Sequence, residues 1–154
     1  MSLYTKMTIT QVISVEFSKN ELDMSNYFMC YSNNHIEGKC RKEGFIRPRT
    51  TRIISYSAPI VKENYCLYNV DYECDICNPN LDVIYDCKIM KLAKIGIRAV
   101  ISNHNNPIVF YVSREHNPNV NFDDYKEGDQ IRVKIIGKRF QLNDPYIEVI
   151  GVVV

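Results

Sequence analysis

Alternation with a period of two constrains this chain more than any other feature. Apolar and polar residues take turns through Thr8 to Phe17, Thr51 to Tyr56 and Tyr65 to Cys77. They do so again through Val83 to Leu92, Ile95 to Ser102, Ile108 to Ser113, Ile131 to Ile136 and Tyr146 to Val153. Successive side chains of a strand point to opposite faces, so such runs read as strands with one buried side. One stretch, Asn20 to Tyr31, reads instead as a helix. Ser18 or Asn20 would cap it, Glu21 and Asp23 would lie in its first turn, and Leu22, Tyr27, Phe28 and Tyr31 would face inward. The pattern predicts a mostly β protein.

Asn78-Pro79-Asn80 is a turn signal between two strand patterns and divides the 154 residues into halves of similar size. Residues 1–79 would form a sheet with one helix. Residues 80–154 carry five short strands and no long helix, the make-up of a small closed barrel of the OB type. A chain of this length buries roughly 68–70% of its unfolded surface and needs no staples. The net charge of +1 excludes a histone-like polycation, so affinity for nucleic acid must come from local patches. No run reaches the roughly eighteen apolar residues that cross a bilayer as a helix, and the first residues lack the apolar core of a signal peptide. The expectation is an intracellular protein with reduced thiols and no membrane partner.

Cys74 and Cys77, in NYCLYNVDYECDICNPN, form a C-x-x-C with Cys66 upstream and Cys87 downstream. A zinc site needs both sulfurs about 2.3 Å from one metal, hence a tight turn. This pair lies instead inside an alternating run, where residues three apart point to opposite faces. Cys74 is expected in the core and Cys77 away from it. No second C-x-x-C exists, and His104 follows no ligand spacing. Neither a metal nor another cofactor is expected. His35, His104 and His116 sit in polar sequence without a nucleophile motif, and the six glycines are scattered singly, so no phosphate-cradling loop is present. Asp123, Asp124, Glu127 and Asp129 read as a solvated turn. For enzymatic chemistry the sequence offers little.

Basic residues cluster twice. Lys39, Arg41, Lys42, Arg47, Arg49 and Arg52 are opposed locally only by Glu43, and form either a solvated surface or a docking or phosphate-facing patch. Pro48 places a loop there. Nearby, Ser57-Ala58-Pro59-Ile60-Val61 offers two aliphatic residues after a proline, either a plug for another protein's groove or a hairpin folded onto its own core. In the second half, Lys88, Lys91, Lys94 and Arg98 occur with no acid among them, followed later by Arg132, Lys134, Lys138 and Arg139. OB folds bind single strands through a cationic groove and aromatic stacking platforms. Alternation turns Tyr111 outward, as a platform or an inert surface residue, and Phe110 inward.

From His35 onward the order IEGKC, GFIRPRTT, NYCLYNVDYECDICNPNLDVIYDC, KLAKIGIRAV, VFYVSRE and DQIRVKIIGKR resembles the stalk subunit of multisubunit RNA polymerases. The family includes the seventh subunit of eukaryotic RNA polymerase II and its archaeal counterpart. The most specific pieces are the L-Y-x-V-x-Y strand, the K-x-G-[IL] start of the second barrel strand, and the I-R-[VL]-K-I-[IV]-G run. The resemblance covers Ile36 to Val153; the first 35 residues match only in their order of strand and short helix.

The resemblance implies an amino-terminal sheet, a truncated relative of the RNA-recognition fold, followed by an OB barrel of the ribosomal S-one type. It implies a non-catalytic subunit whose tip, here Arg47, Pro48, Arg49, Ala58, Pro59, Ile60 and Val61, docks near the polymerase clamp. The partners there are the largest subunit and the small subunit at the base of the clamp, with a fourth-subunit-like protein alongside. The barrel would offer Lys91, Lys94, Arg98, Tyr111, Lys138 and Arg139 to single-stranded nascent RNA. One departure stands out. Gly96-Ile97-Arg98 places an arginine where the family-type barrel has an aromatic, and a guanidinium plane also stacks on bases. Location would be the nucleus, or a viral factory or virion for a copy carried by a large DNA virus. The rival reading is a free-standing OB-fold RNA-binding protein, a translation or RNA-chaperone factor, which has little use for the first half.

Overall fold

The computed structural model describes residues 3–102 and 107–154, and is mostly β: a closed five-stranded, OB-like barrel and a separate sheet. His104 lies outside the described residues. The chain divides into two compact units, one ending at Cys77 and the other running from Asn78 to Val154.

The first unit contains β1 (Thr5–Glu16), α1 (Ser25–His35), β2 (Cys40–Arg41), β3 (Gly44–Ile46), β4 (Arg52–Tyr56), β5 (Ile60–Lys62) and β6 (Tyr65–Cys77). β6 is its axis. One side pairs with β1 in an unbroken antiparallel register from Thr5↔Ile76 to Glu16↔Tyr65. The other side pairs in turn with β5, β4 and β3, and β2 hangs on β3. The alternation of β6 is what makes the core. Tyr68, Val70, Tyr72, Cys74 and Ile76 are buried together with Ile9, Ile13 and Val15 of β1, and Phe28 of α1 packs on them. The rings of Tyr56 and Tyr68 meet Phe28 edge-on at 5.0 and 5.1 Å. The buried Tyr72 hydroxyl donates to the Phe28 carbonyl at 2.6 Å, which meets the need of a buried polar tip for a partner.

The helix differs from the expected Asn20–Tyr31. Phe17–Lys19 form a single 3-10 turn, Asn20 to Met24 are not helical, and α1 begins at Ser25 and runs on to His35. Long-range partners hold the lead-in open. The Tyr68 hydroxyl donates to the Asn20 side chain, and the Met24 N–H donates to the Tyr56 hydroxyl at 3.3 Å. Asp23, expected inside the first turn, instead accepts the Ser25 N–H at 2.9 Å from before it, which holds its carboxyl below the usual range. Leu22 is fully exposed and Tyr27 sits at the surface, whereas Phe28 and Tyr31 face inward as expected.

Cys77 also departs from expectation. It was to look away from the core, yet it is as buried as Cys74. Parity still separates the two, but that end of the second face is closed: Phe45 of β3 is register partner to Cys77, and Tyr4 lies close enough to feel it electrostatically. Among the described residues, no group of three or more His, Cys, Asp or Glu is placed to hold a metal ion.

The second unit contains β7 (Ile84–Ala93), β8 (Gly96–Ile101), β9 (Ile108–Ser113), β10 (Gln130–Arg139) and β11 (Ile147–Val153). They close in the order β10-β11-β9-β8-β7, with β10 returning to β7. All pairs are antiparallel except β9 with β11. Ile97, Phe110, Val133, Ile135 and Val149 fill the interior. Register shifts at Ile89/Lys91 on β7 and Ile135/Gly137 on β10 are the bulges that let so few strands curl shut. Gly96 opens β8 at φ +154°, where an added Cβ would lie 2.2 Å from the Val112 carbonyl oxygen, so no side chain fits.

Candidate nucleic-acid interface

The barrel's outer surface is built from cross-strand rows, because residues in register sit side by side roughly 4.5–5.5 Å apart at Cβ. One row joins four strands: Lys91 pairs with Arg98, Arg98 with Tyr111, and Tyr111 with Ile150. Next to it, Lys88 pairs with Val100 on the β7–β8 side, and Val109 pairs with Glu148 and Glu148 with Arg139 on the β9–β11–β10 side. Tyr111 is 37% exposed and Ile150 42%, whereas Val109 is nearly covered. The face is therefore an aromatic and aliphatic floor with cations along its β7–β8 side. Partial burial raises the Tyr111 phenol above its ordinary value, helped by Tyr146 and the Glu148 carboxylate and opposed by Arg98. Tyr111 is thus a neutral ring at physiological pH, a suitable surface for a base to stack on.

Of the six barrel residues singled out above, the fold brings Lys91, Arg98 and Tyr111 into one row. Among the described residues neither Lys91 nor Arg98 forms an ion pair, so both charges are open to solvent. Lys94 stands on the β7–β8 turn, where its carbonyl accepts from Arg114 Nε at 2.6 Å. Lys138 is engaged elsewhere: its Nζ donates to Asn78 Oδ1 and to the Pro79 carbonyl, each at 2.7 Å. Arg139 is paired with Glu148 at 2.5 Å. Lys138 and Arg139 hold parts of the barrel to one another.

No protein-family model matches this chain. Over 167 aligned positions the chain is 26% identical to a protein of Acanthamoeba polyphaga mimivirus named "Putative DNA-directed RNA polymerase subunit L376". The match takes in 97% of this chain and 81% of that protein, and so runs through both units.

In the first unit the basic cluster is less free than its sequence suggests. Arg52 pairs with Glu73 at 2.7 Å, Arg47 with Asp75 at 3.9 Å, and Arg41 with Glu43 at 3.4 Å. Two of those three acids come from β6, far along the chain. Arg47 also lies over the Tyr4 ring, 4.8 Å from its centre. Pro48 and Arg49 form a turn, with Arg49 at φ 67° and its N–H held by the Glu37 carboxylate. Ile60 and Val61 lie on a strand paired to Leu67 and Cys66, and both side chains are mostly exposed, 64% and 60%. Neither folds onto the core. Ala58 and Pro59, also exposed, lead into that strand.

Three members of the barrel face were not singled out in the sequence: Tyr146, Glu148 and Ile150. Their signal was present, since alternation through Tyr146 to Val153 turns all three to one side. What was missing was the parallel pairing of β11 with β9, which sets Ile150 beside Tyr111 and Glu148 beside Val109.

Proposed function

We propose that this chain is a non-catalytic subunit of a DNA-directed RNA polymerase, docking through its amino-terminal unit and holding its barrel toward single-stranded RNA leaving the enzyme. The observation that carries the reading is the mimivirus relative, which follows the chain through both units. The barrel face supports the RNA-facing half of the proposal. Arg98 beside Tyr111, with Lys91 next in the row, both without an ion pair among the described residues, give the combination of charge and stacking by which OB surfaces take single strands. Weak binding suits so small a platform. For docking, the exposed Ile60 and Val61 are better placed than Arg47, whose guanidinium already meets Asp75 and the Tyr4 ring within its own unit. The polymerase partners would be the largest subunit and the small subunit at the base of the clamp, with a fourth-subunit-like protein at the stalk. Such a subunit would work in the nucleus or in a viral factory.

Ile60→Asp tests the docking half. An apolar anchor at an interface is worth at least about 2 kcal/mol, so the variant should lose most of its co-purification with polymerase. Its melting temperature should stay close to that of the unmodified protein, because Ile60 contributes little to its own core. Unchanged co-purification by a folded variant would place docking elsewhere.

A further inference from the structure

Among the described residues of the two rows, Glu148 is the acid, a group that neither stacking nor phosphate binding employs. It lies in register between Val109 and Arg139, beside the Tyr111–Ile150 pair. Its Oε2 accepts from Arg139 Nε at 3.2 Å and from Nη2 at 2.5 Å. Among the described residues no hydrogen bond falls on its Oε1. A carboxylate set among phosphate-binding cations weakens binding of the backbone through like-charge repulsion. Arg139 offsets that charge and fixes the group in one orientation, leaving one acceptor oxygen open beside the stacking ring.

Resting on the RNA-binding reading above, we infer that Glu148 reads the edge of the base stacked on Tyr111, and selects cytosine, through its 4-amino group, over uracil. The chemistry is that of carboxylates reading cytosine N4. An ionised carboxylate only accepts hydrogen bonds. Cytosine offers it an amino donor at the position where uracil presents a carbonyl oxygen, so uracil places acceptor against acceptor. The two pyrimidines stack on Tyr111 with nearly the same area, which leaves this edge as the point of difference. Val109 and Ile150 form the apolar floor beside this contact. Lys91 and Arg98, across the ring from Glu148, are left to take the phosphates.

The test is fluorescence anisotropy of the full chain with labelled oligocytidylate and oligouridylate of equal length, at low salt. The expected result is tighter binding of the cytidylate by about ten-fold, the discrimination from one charge-assisted base contact. Glu148→Gln keeps the shape, removes the charge and supplies an amide that both donates and accepts. It should bring the two RNAs within about two-fold of each other, mainly by tightening the uridylate. Its thermal midpoint reports folding separately, and a structural role alone would shift both affinities together and leave their ratio intact. Equal binding of the two RNAs by the unmodified protein, or an unchanged ratio in Glu148→Gln, overturns this inference and leaves the RNA-binding reading standing. Absence of binding to either RNA overturns both.

Discussion

At Asn117 one buried amide serves three backbone groups. Its Nδ2 donates to the Ser113 and Gly151 carbonyls at 2.8 and 3.3 Å, and its Oδ1 accepts the Val153 N–H at 2.9 Å. The residue is 5% exposed, so no water replaces these bonds easily, and the long segment before β10 is fastened to β9 and β11 at this point. Asn117→Ala should lower the unfolding free energy by about 2–3 kcal/mol, since buried donors and acceptors lose their partners. Asn117→Asp should cost no less, because it sets a buried charge against two carbonyl oxygens; chemical denaturation measures both. A second residue-scale expectation concerns pH. Burial pushes the Cys87 thiol up to about 12 and Cys74 up to about 11 from an ordinary 9.0. Above pH 9 the unfolded chain ionises at Cys87 while the folded chain holds its proton, so stability falls as pH rises toward 12. Denaturation on either side of pH 9 should show that decline, and Cys87→Ala should make it shallower. The cysteine run was legible because strand parity is local; the burial of Cys77 was not, since β3 and Tyr4 close its face from distant places in the sequence.

The strands that alternate over five residues or more were readable as elements, and their ends move by only a residue or a few. β2, β3 and β5 were not, because two or three residues carry no period. The helix start was misplaced for a different reason. Local capping signals at Ser18 and Asn20 compete with partners in β4 and β6, and the distant partners win. The candidate site follows the same division. Outward facing of Tyr111 was legible from the alternation of its own strand, whereas its meeting with Arg98 in one row, and the presence of Glu148 beside it, depend on the pairing of β8, β9 and β11. That row makes an element-scale prediction. Arg98→Ala and Tyr111→Ala should each weaken single-stranded RNA binding by roughly 1–3 kcal/mol, the range for one stacking contact. Lys94→Ala should cost less and chiefly reduce the salt dependence, since a phosphate contact releases about one counterion. Lys138→Ala acts through its bonds to Asn78 and Pro79 and should register first in stability. Anisotropy at two salt concentrations, with a melting curve for each variant, separates these effects. Silence of both Arg98→Ala and Tyr111→Ala in a protein that binds RNA would move the RNA to another face.

At the scale of the molecule, each unit buries its own apolar set: β6 with β1 and α1 in the first, the closed barrel in the second. Their boundary at Cys77 and Asn78 falls where the Asn78-Pro79-Asn80 turn interrupts the strand pattern. A free-standing RNA-binding barrel would gain little from the first unit, whose sheet offers exposed Ile60 and Val61 and whose Arg47 and Arg52 are already paired with Asp75 and Glu73. A subunit that must be held by a larger enzyme has a use for it. The most direct measurement is affinity capture of the tagged full chain from the organism or virus-infected cells that produce it, with mass spectrometry of what is retained after a salt wash. The proposed function predicts recovery of the largest polymerase subunits in amounts comparable to the bait. Recovery of the bait alone, or with ribosomal or other RNA-binding proteins and no polymerase, would contradict it.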